Sequence, residues 1–353
     1  MYCEKVNKRN LFKGIFPNLF YTFAHISVII VVKNIMIKDF AYMDTLQSLK
    51  DNIEKVIVGK GHIIDLIMTA LISGGHVLLE DVPGTGKTVM AKSLARSLDA
   101  SFSRIQFTPD LLPSDITGLN YYNQKETAFI FKSGPVFSHI LLADEINRAT
   151  PRTQSALLEC MEEQQVTVDG ITHLLPLPFF VIATQNPIET TGTFPLPEAQ
   201  LDRFFMKISM GFPSKEEEIA ILTRFQKDTP LETLEPICPI SAILDAQKNY
   251  RNVYIHPLLM EYLVELVRAT RSHPDIVSGI SPRGSLALLR ACKAYAYLHN
   301  RTYVVPEDFK IVAVPVLAHR LVLNHLIGTH SSAEELIQSL LSQIPVPTED
   351  WTY

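Results

Sequence analysis

His76-Val-Leu-Leu-Glu80-Asp81-Val-Pro83-Gly84-Thr85-Gly86-Lys87-Thr88 is the stretch on which the reading of this chain turns. His76 to Glu80 read as a short buried strand, Asp81 to Gly86 as a glycine-containing loop and Thr88 to Leu98 as a helix, a strand-loop-helix unit. Glycines let backbone N–H groups wrap an anion while the helix that follows offers its positive end, so Pro83, Gly84, Thr85, Gly86, Lys87 and Thr88 have the makings of a phosphate cradle. Lys87 would neutralise the β and γ phosphates of a nucleotide, and the Thr88 hydroxyl would face Mg²⁺. Asp81 stands where the general pattern has its first glycine. A Gly-x-Gly-Lys-Thr run by itself could be a chance surface turn; the strand before it and the helix after it give it meaning.

Working outward, Ile140 to Ala143 and Phe179 to Ala183 are two further apolar runs that end in polar residues, separated by a helical segment from about Thr153 to Glu163. Such alternation predicts a parallel sheet covered by helices, an α/β fold. Upstream, from Asp44, residues Leu46, Leu49, Ile53, Val56 and Ile57 fall at helical steps, and a second helix spans about Ile63 to Ile72. Downstream of Phe212-Pro213 the character changes. Lys215 to Phe225, Ile240 to Asn249, Pro257 to Thr270, Pro282 to Leu298 and Val314 to Leu326 all read as helices, so a helical domain is expected from about residue 213. Gly118 to Ser133 and Val166 to Leu174 look like hairpins, the second with a type I′ turn at Asp169-Gly170; the alternative is two solvent-exposed loops.

The second run ends in Asp144-Glu145, two carboxylates at the carboxyl end of a buried strand, where open α/β sheets hold their ligands. Downstream of a phosphate cradle, Asp144 would hold Mg²⁺ and Glu145 would act as general base on the attacking water. The third run ends in Asn186-Pro187, whose amide could orient that water or initiate a turn. Arg203, in Leu-Asp-Arg-Phe, and Arg283, in Ser281-Pro282-Arg283, are planar donors suited to a γ-phosphate in the transition state. Ser281 and Pro282 look like an N-cap and first helical residue. Either arginine could instead pair with a local carboxylate, Asp202 for Arg203.

Composition narrows the rest. The 353 residues predict about two domains, 47% hydrophobic and 20% charged residues are ordinary for globular chains, and a net charge of −5 offers no global attraction for nucleic acid or anionic lipid. Cys3, Cys160, Cys238 and Cys292 form no CxxC pair, which fits a reducing compartment without zinc knuckles. The eleven histidines contain no HExxH, and His319, His325 and His330 read as scattered surface or lid residues. Gly14 to Val32 is an apolar stretch of about bilayer length flanked by Lys5, Lys8, Arg9, Lys13, Lys33 and Lys38, but it holds Pro17, Asn18 and His25. Three accounts stand: an extension upstream of the true start at Met43, a peripheral or partner-binding segment, or a membrane anchor.

These elements in this order resemble an AAA+ module over residues 44–347, and within AAA+ the chain resembles the MoxR family. The resemblance rests on Leu79-Glu-Asp-Val-Pro-Gly-Thr-Gly-Lys-Thr88, Phe107-Thr-Pro-Asp-Leu-Leu-Pro-Ser-Asp115, Asp144-Glu-Ile-Asn-Arg-Ala149 and Ala183-Thr-Gln-Asn-Pro187. It implies a P-loop AAA+ αβα core at 43–212 with two β-hairpin inserts, a C-terminal all-helical lid at 213–347 and a tail at 348–353, leaving 1–42 as an apolar N-terminal extension. It accounts for Asp81 and identifies the hairpins as the inserts of the helix-2-insert clade. Further implications are ATP and Mg²⁺ as cofactors, Val58 and Gly59 at the adenine pocket, Arg203 acting in trans, Arg283 acting in cis from the lid, and a cytoplasmic homo-hexamer. Lys60 departs from the glutamine often found after Val-Gly. MoxR-like proteins resemble chaperones that assist maturation or metal insertion in a client complex, with von Willebrand factor A domain partners. A nucleotide-gated scaffold and a nucleic-acid motor are the alternatives. The motor is disfavoured because Val166 to Leu174 carries no lysine or arginine and Gly118 to Ser133 only Lys125 and Lys132.

Overall fold

The computed structural model describes residues 45–82, 84–187, 192–226, 229–324 and 332–347. The apolar stretch Gly14 to Val32, Pro83, His325, His330 and the tail lie outside them. Among the described residues no helix is long and apolar enough to cross a membrane.

The chain enters through helix α1 (45–54) and α2 (Gly61–Ile72), the latter buried from Ile63 to Ile72 because it is apolar on nearly every face. Strand β1 (Val77–Glu80) leads through the glycine loop into α3 (Lys87–Ser97), followed by β2 (Phe102–Gln106), the short α4 (Pro113–Thr117), and the strands β3 (Gly118–Asn123) and β4 (Ala128–Ser133). Strand β5 (Ile140–Asp144), α5 (Pro151–Glu163), β6 (Gln165–Val168), β7 (Ile171–Leu174), β8 (Phe180–Gln185), α6 (Glu198–Leu201) and β9 (Met206–Ile208) complete the sheet-bearing part.

Five strands form one sheet in the order β2-β5-β8-β1-β9, with every neighbouring pair parallel. Register places Glu80 beside Gln185 and Gln106 beside Asp144, so the strands deliver their polar ends to one edge. The central strands β1, β5 and β8 are buried along nearly their whole length, as expected of a sheet covered on both faces. Neither β2 nor β9 is anticipated by hydrophobic runs. The first is an edge strand whose Arg104 and Gln106 face solvent, and the second has three residues.

Both expected hairpins are hairpins: β3 pairs antiparallel with β4 and β6 with β7. Asp169 and Gly170 have φ of 49° and 79°, the two positive values a type I′ turn requires.

The rest of the chain begins with α7 (Lys215–Phe225) and continues through α8 (Ile240–Asn249), α9 (Pro257–Ser272), strand β10 (Ile276–Ser278), α10 (Pro282–Leu298), α11 (Pro306–Leu317), strand β11 (Val322–Leu323) and α12 (Ala333–Gln343). Among the described residues its elements are helical apart from the antiparallel pair β10–β11. The helix expected at Val314 to Leu326 is displaced: α11 starts at Pro306 and ends at Leu317, because Pro306 occupies the first turn and the Asp308 carboxylate accepts from the Val305 N–H at 2.9 Å. Helix α12 was not foreseen, although the Ser332 hydroxyl accepts from the Glu335 N–H at 3.1 Å in an ordinary N-cap. His319 is buried rather than a surface residue, its Nε2 3.1 Å from the Phe204 carbonyl.

Core and lid hold one another through backbone carbonyls. Gln247 Nε2 donates to Leu71 O at 2.8 Å, and Arg290 Nη2 donates to Ser73 O at 2.5 Å, both at the carboxyl end of α2.

Candidate functional site

At the carboxyl edge of the sheet, the loop between β1 and α3 turns through Gly84 and Gly86, with φ of 87° and 90°. A Cβ on either would meet nothing within 4 Å, so left-handed backbone geometry, not crowding by protein, calls for glycine there. A cavity of about 340 Å³ opens above them, lined by Lys87, Thr88, Asp144, Glu145 and Asn186 together with those glycines. Of the described residues expected at the phosphate cradle, carboxylate pair and amide, all but Thr85 line this one cavity, and Thr85 lines the cavity that adjoins it. Burial pushes Lys87 below the ordinary lysine range, against the opposing pull of Asp81, Asp144 and Glu145. Its Nζ donates to the Asp81 carbonyl at 2.7 Å.

Four side chains to which sequence reasoning gives no role organise the carboxylates. Thr184, buried on β8, donates its hydroxyl to Asp144 Oδ1 at 2.6 Å and accepts the Glu145 N–H at 2.9 Å. Arg104 on β2 binds Asp144 Oδ2 at 2.7 Å. Gln106, the last residue of β2, donates to Glu145 Oε2 at 2.6 Å, and Arg148 Nε lies 3.1 Å from the same oxygen. The Glu145 backbone is left-handed, φ 56° and ψ 51°, a conformation that costs a non-glycine residue about 1–2 kcal/mol and turns the side chain toward the cavity rim. The one available signal was register: β2 beside β5 puts position 106 next to the acidic pair.

A second cavity, about 180 Å³, shares Gly84, Gly86 and Val89 with the first and is walled by Ile57, Val58, Met210 and Phe225. Val58, expected at the adenine pocket, is thus a wall residue of the cavity that adjoins the phosphate loop. Gly59 does not line it; its φ of 72° and the Glu217 side chain, which would come within 2.0 Å of an added Cβ, fit it to the start of α7.

The two arginines are elsewhere. Arg203 Nε lies 3.3 Å from Glu162 Oε2, and Arg283 Nη2 lies 3.2 Å from Glu162 Oε1 and its Nε 3.8 Å from Asp202. Asp202 is taken by the buried Arg320, Nε at 2.7 Å, so it is Glu162 and not Asp202 that pairs with Arg203. Ser281 Oγ accepts from the Gly284 N–H at 3.3 Å and fixes Arg283 in the first turn of α10. These arginines border a cavity of about 210 Å³ with Gly75, His76 and Met161. His76 precedes β1 and bonds Met161 O at 3.0 Å, which sets this cavity at the amino edge of the sheet. Crossing β1 from there to Asp81 takes roughly 17 Å at the usual strand rise. Arg283, expected to act in cis, therefore lines a cavity at the other edge of the sheet from the phosphate cavity and shares Glu162 with Arg203.

The donor set suits a nucleotide. Glycine N–H groups and Lys87 suit phosphates, and the Thr88 hydroxyl with the Asp144 carboxylate offers the all-oxygen, few-ligand set that Mg²⁺ accepts.

Fold and site define a nucleotide-binding protein of the AAA class. Residues 76–206 match the family described as ATPase family associated with various cellular activities, and residues 268–340 match the AAA lid domain. The chain is 41% identical over 317 residues to the chaperone MoxR1 of Mycobacterium tuberculosis, covering 87% of this chain and 84% of that one. It is 50% identical over 314 residues to the uncharacterized protein YeaC of Bacillus subtilis, 88% and 98% of the two chains. A crystal structure of a candidate ATPase from Cytophaga hutchinsonii superposes with a TM-score of 0.83 at 40% identity, covering 90% of this chain and 99% of that one. The chain belongs to the MoxR family of AAA+ ATPases.

Proposed function

We propose that this protein hydrolyses ATP with Mg²⁺ at sites shared between copies in a closed ring, a homo-hexamer by resemblance to the family, and applies the resulting lid motion to a client protein complex. The observation that carries this is the division of the machinery: Lys87, Thr88, Asp144, Glu145 and Asn186 lie at one edge of the sheet, Arg203 and Arg283 at the other. A head-to-tail contact, which closes into a ring, brings one copy's arginines to the next copy's phosphates.

In that reading Lys87 moves from the Asp81 carbonyl to the β and γ phosphates, and the loop N–H groups hold the remaining oxygens. Mg²⁺ held by Thr88 and Asp144 would neutralise charge on the phosphate oxygens. Glu145 accepts the proton of the attacking water and Asn186 orients that water. Before it can do so, Glu145 must loosen its contacts with Gln106 and Arg148. Those contacts also support a second reading, a nucleotide-gated scaffold with little turnover until a partner frees Glu145. Arg203 and Arg283 then stabilise the charge that develops on the transferred phosphoryl group.

The name chaperone on the mycobacterial relative supports client remodelling, with metal insertion and a von Willebrand factor A domain partner as finer expectations. Exposed Tyr122 and Phe129, edge to face at 5.5 Å on the first hairpin, offer an apolar surface to such a client. We assign 43–212 to the core and 213–347 to the lid, and the need for ATP places the work in the cytoplasm. The test is turnover by the chain with and without Mg²⁺, alongside Lys87→Ala and a mass measurement of the assembled species. Mg-dependent turnover by a ring-sized particle, lost in Lys87→Ala, supports the proposal; tight binding without turnover favours the scaffold.

A further inference from the structure

Asp81 replaces a glycine of the general phosphate-loop pattern, and nothing in the phosphate chemistry asks for a carboxylate there. The structure shows what it does instead. The residue is 6% exposed and its carboxylate is bonded to the segment that follows β9. Its Oδ1 accepts from the Ser209 hydroxyl at 2.8 Å and from the Gly211 N–H at 3.0 Å, and its Oδ2 accepts from the Met210 N–H at 2.6 Å. The backbone of the same residue is also engaged on both sides: its N–H donates to Gln185 O at 3.3 Å and its carbonyl accepts from Lys87 Nζ at 2.7 Å. Met210 and Gly211 are wall residues of the apolar cavity that adjoins the phosphate cavity. Gly211 has φ of 62°, so this wall turns sharply at the residue the carboxylate holds.

We propose that the Asp81 carboxylate is a positioning residue for the base half of the nucleotide site: it fixes the 209–211 segment as one wall of the base pocket and ties the lid entry to the phosphate loop. The proposal rests on the two adjoining cavities being the base and phosphate halves of one nucleotide site. A glycine at position 81 would leave the Ser209 hydroxyl and the Met210 and Gly211 N–H groups without their acceptor, which accounts for the departure from the general pattern. Because the hydrogen bond from Lys87 goes to the Asp81 backbone carbonyl, a side-chain change breaks no bond on the phosphate side; the loss of the carboxylate charge beside Lys87 acts on ATP and triphosphate alike, so the difference between the two ligands reads the base wall.

In Asp81→Asn the amide oxygen can keep the bonds to Ser209 and Gly211, but its NH₂ then faces the Met210 N–H, donor against donor. Titration calorimetry of the full chain with ATP and with inorganic triphosphate, which has no base, separates the two halves. Asp81→Asn weakens ATP about tenfold, the scale of one lost hydrogen bond to a charged acceptor, and leaves inorganic triphosphate within about twofold. Ser209→Ala, which removes one donor without creating a clash, moves ATP affinity in the same direction by about threefold. Equal weakening of both ligands, or no change in either with Asp81→Asn, overturns the inference, since a residue that only holds up the fold would not separate them. Lys87→Ala is the control on the underlying reading: it should weaken both ligands, and if it weakens neither, the assignment of the site fails rather than the role of Asp81.

Discussion

Replacing Thr184 by valine removes one hydroxyl and keeps the shape of a buried β-branched side chain. That hydroxyl makes two bonds, donating to Asp144 at 2.6 Å and accepting the Glu145 N–H at 2.9 Å. Loss of the bond to a charged carboxylate costs about 1.5–3 kcal/mol, and an N–H left without an acceptor costs about 1–3 kcal/mol. Relaxation of Glu145 out of its left-handed backbone would return about 1–2 kcal/mol, leaving a net of roughly 2–4 kcal/mol. Such relaxation also turns the carboxylate away from the cavity. With half or more of that net cost expressed in the barrier, Thr184→Val should lower kcat roughly ten- to a hundredfold. ATP binding should be nearly unchanged, because Lys87 and the glycine loop are untouched. Steady-state hydrolysis and nucleotide titration measure the two quantities, and Thr184→Ser, which keeps the hydroxyl, is the control and should stay within a few-fold of the parent. Wild-type kcat in Thr184→Val, or equal losses in the valine and serine variants, would refute this account of how Glu145 is held.

Arg203→Ala should cut turnover by about a thousandfold or more while ATP still binds, and Arg203→Lys should recover little of it, because an ammonium cannot present a planar fork. Arg283→Ala should follow the same pattern at a smaller magnitude, read from the same two assays. Acid should destabilise the fold through His76, whose burial lowers its pKa from 6.5 to about 4. Above pH 6.5 neither the folded nor the unfolded form holds that proton. Between 6.5 and about 4 only the unfolded form does, so stability present above 6.5 is lost as pH falls, by about 3 kcal/mol in all. Buried His319, shifted in the same direction, adds to the slope. Urea titrations at several pH values should show His76→Gln with a shallower dependence than the parent, and an unchanged slope would exclude His76 as a source.

Much of the nucleotide site could be read from the chain because its parts are local. The cradle at 84–88, the Asp144-Glu145 pair and Asn186 each close a strand, and parallel register brings strand ends together. Helices α7, α8 and α10 begin and end where their patterns say, with Ser214 and Ser281 as caps. What escaped is what register supplies. Gln106 and Arg104 sit on an edge strand too polar to announce itself, and Thr184 looks like an ordinary β-branched strand residue until β5 lies beside it. Glu162 is one of several acidic residues ending α5, and nothing local connects it to Arg203 or to Arg283, 121 positions away. The family resemblance gave Arg283 a role on its own nucleotide; the edge of the sheet at which it lies is a property of the packed lid.

The central claim, that a hydrolysis site is built from two copies, is tested most directly by mixing two dead variants. Lys87→Ala keeps its arginines and lacks a working phosphate site; Arg203→Ala keeps the phosphate site and lacks its arginine. If the arginine acts on a neighbour, subunits mixed in equal amounts and allowed to exchange regain turnover, up to roughly a quarter of the parent rate if the ring assembles at random. A mixture no more active than the two variants measured apart, under conditions where mass measurement shows mixed rings, would contradict a shared site.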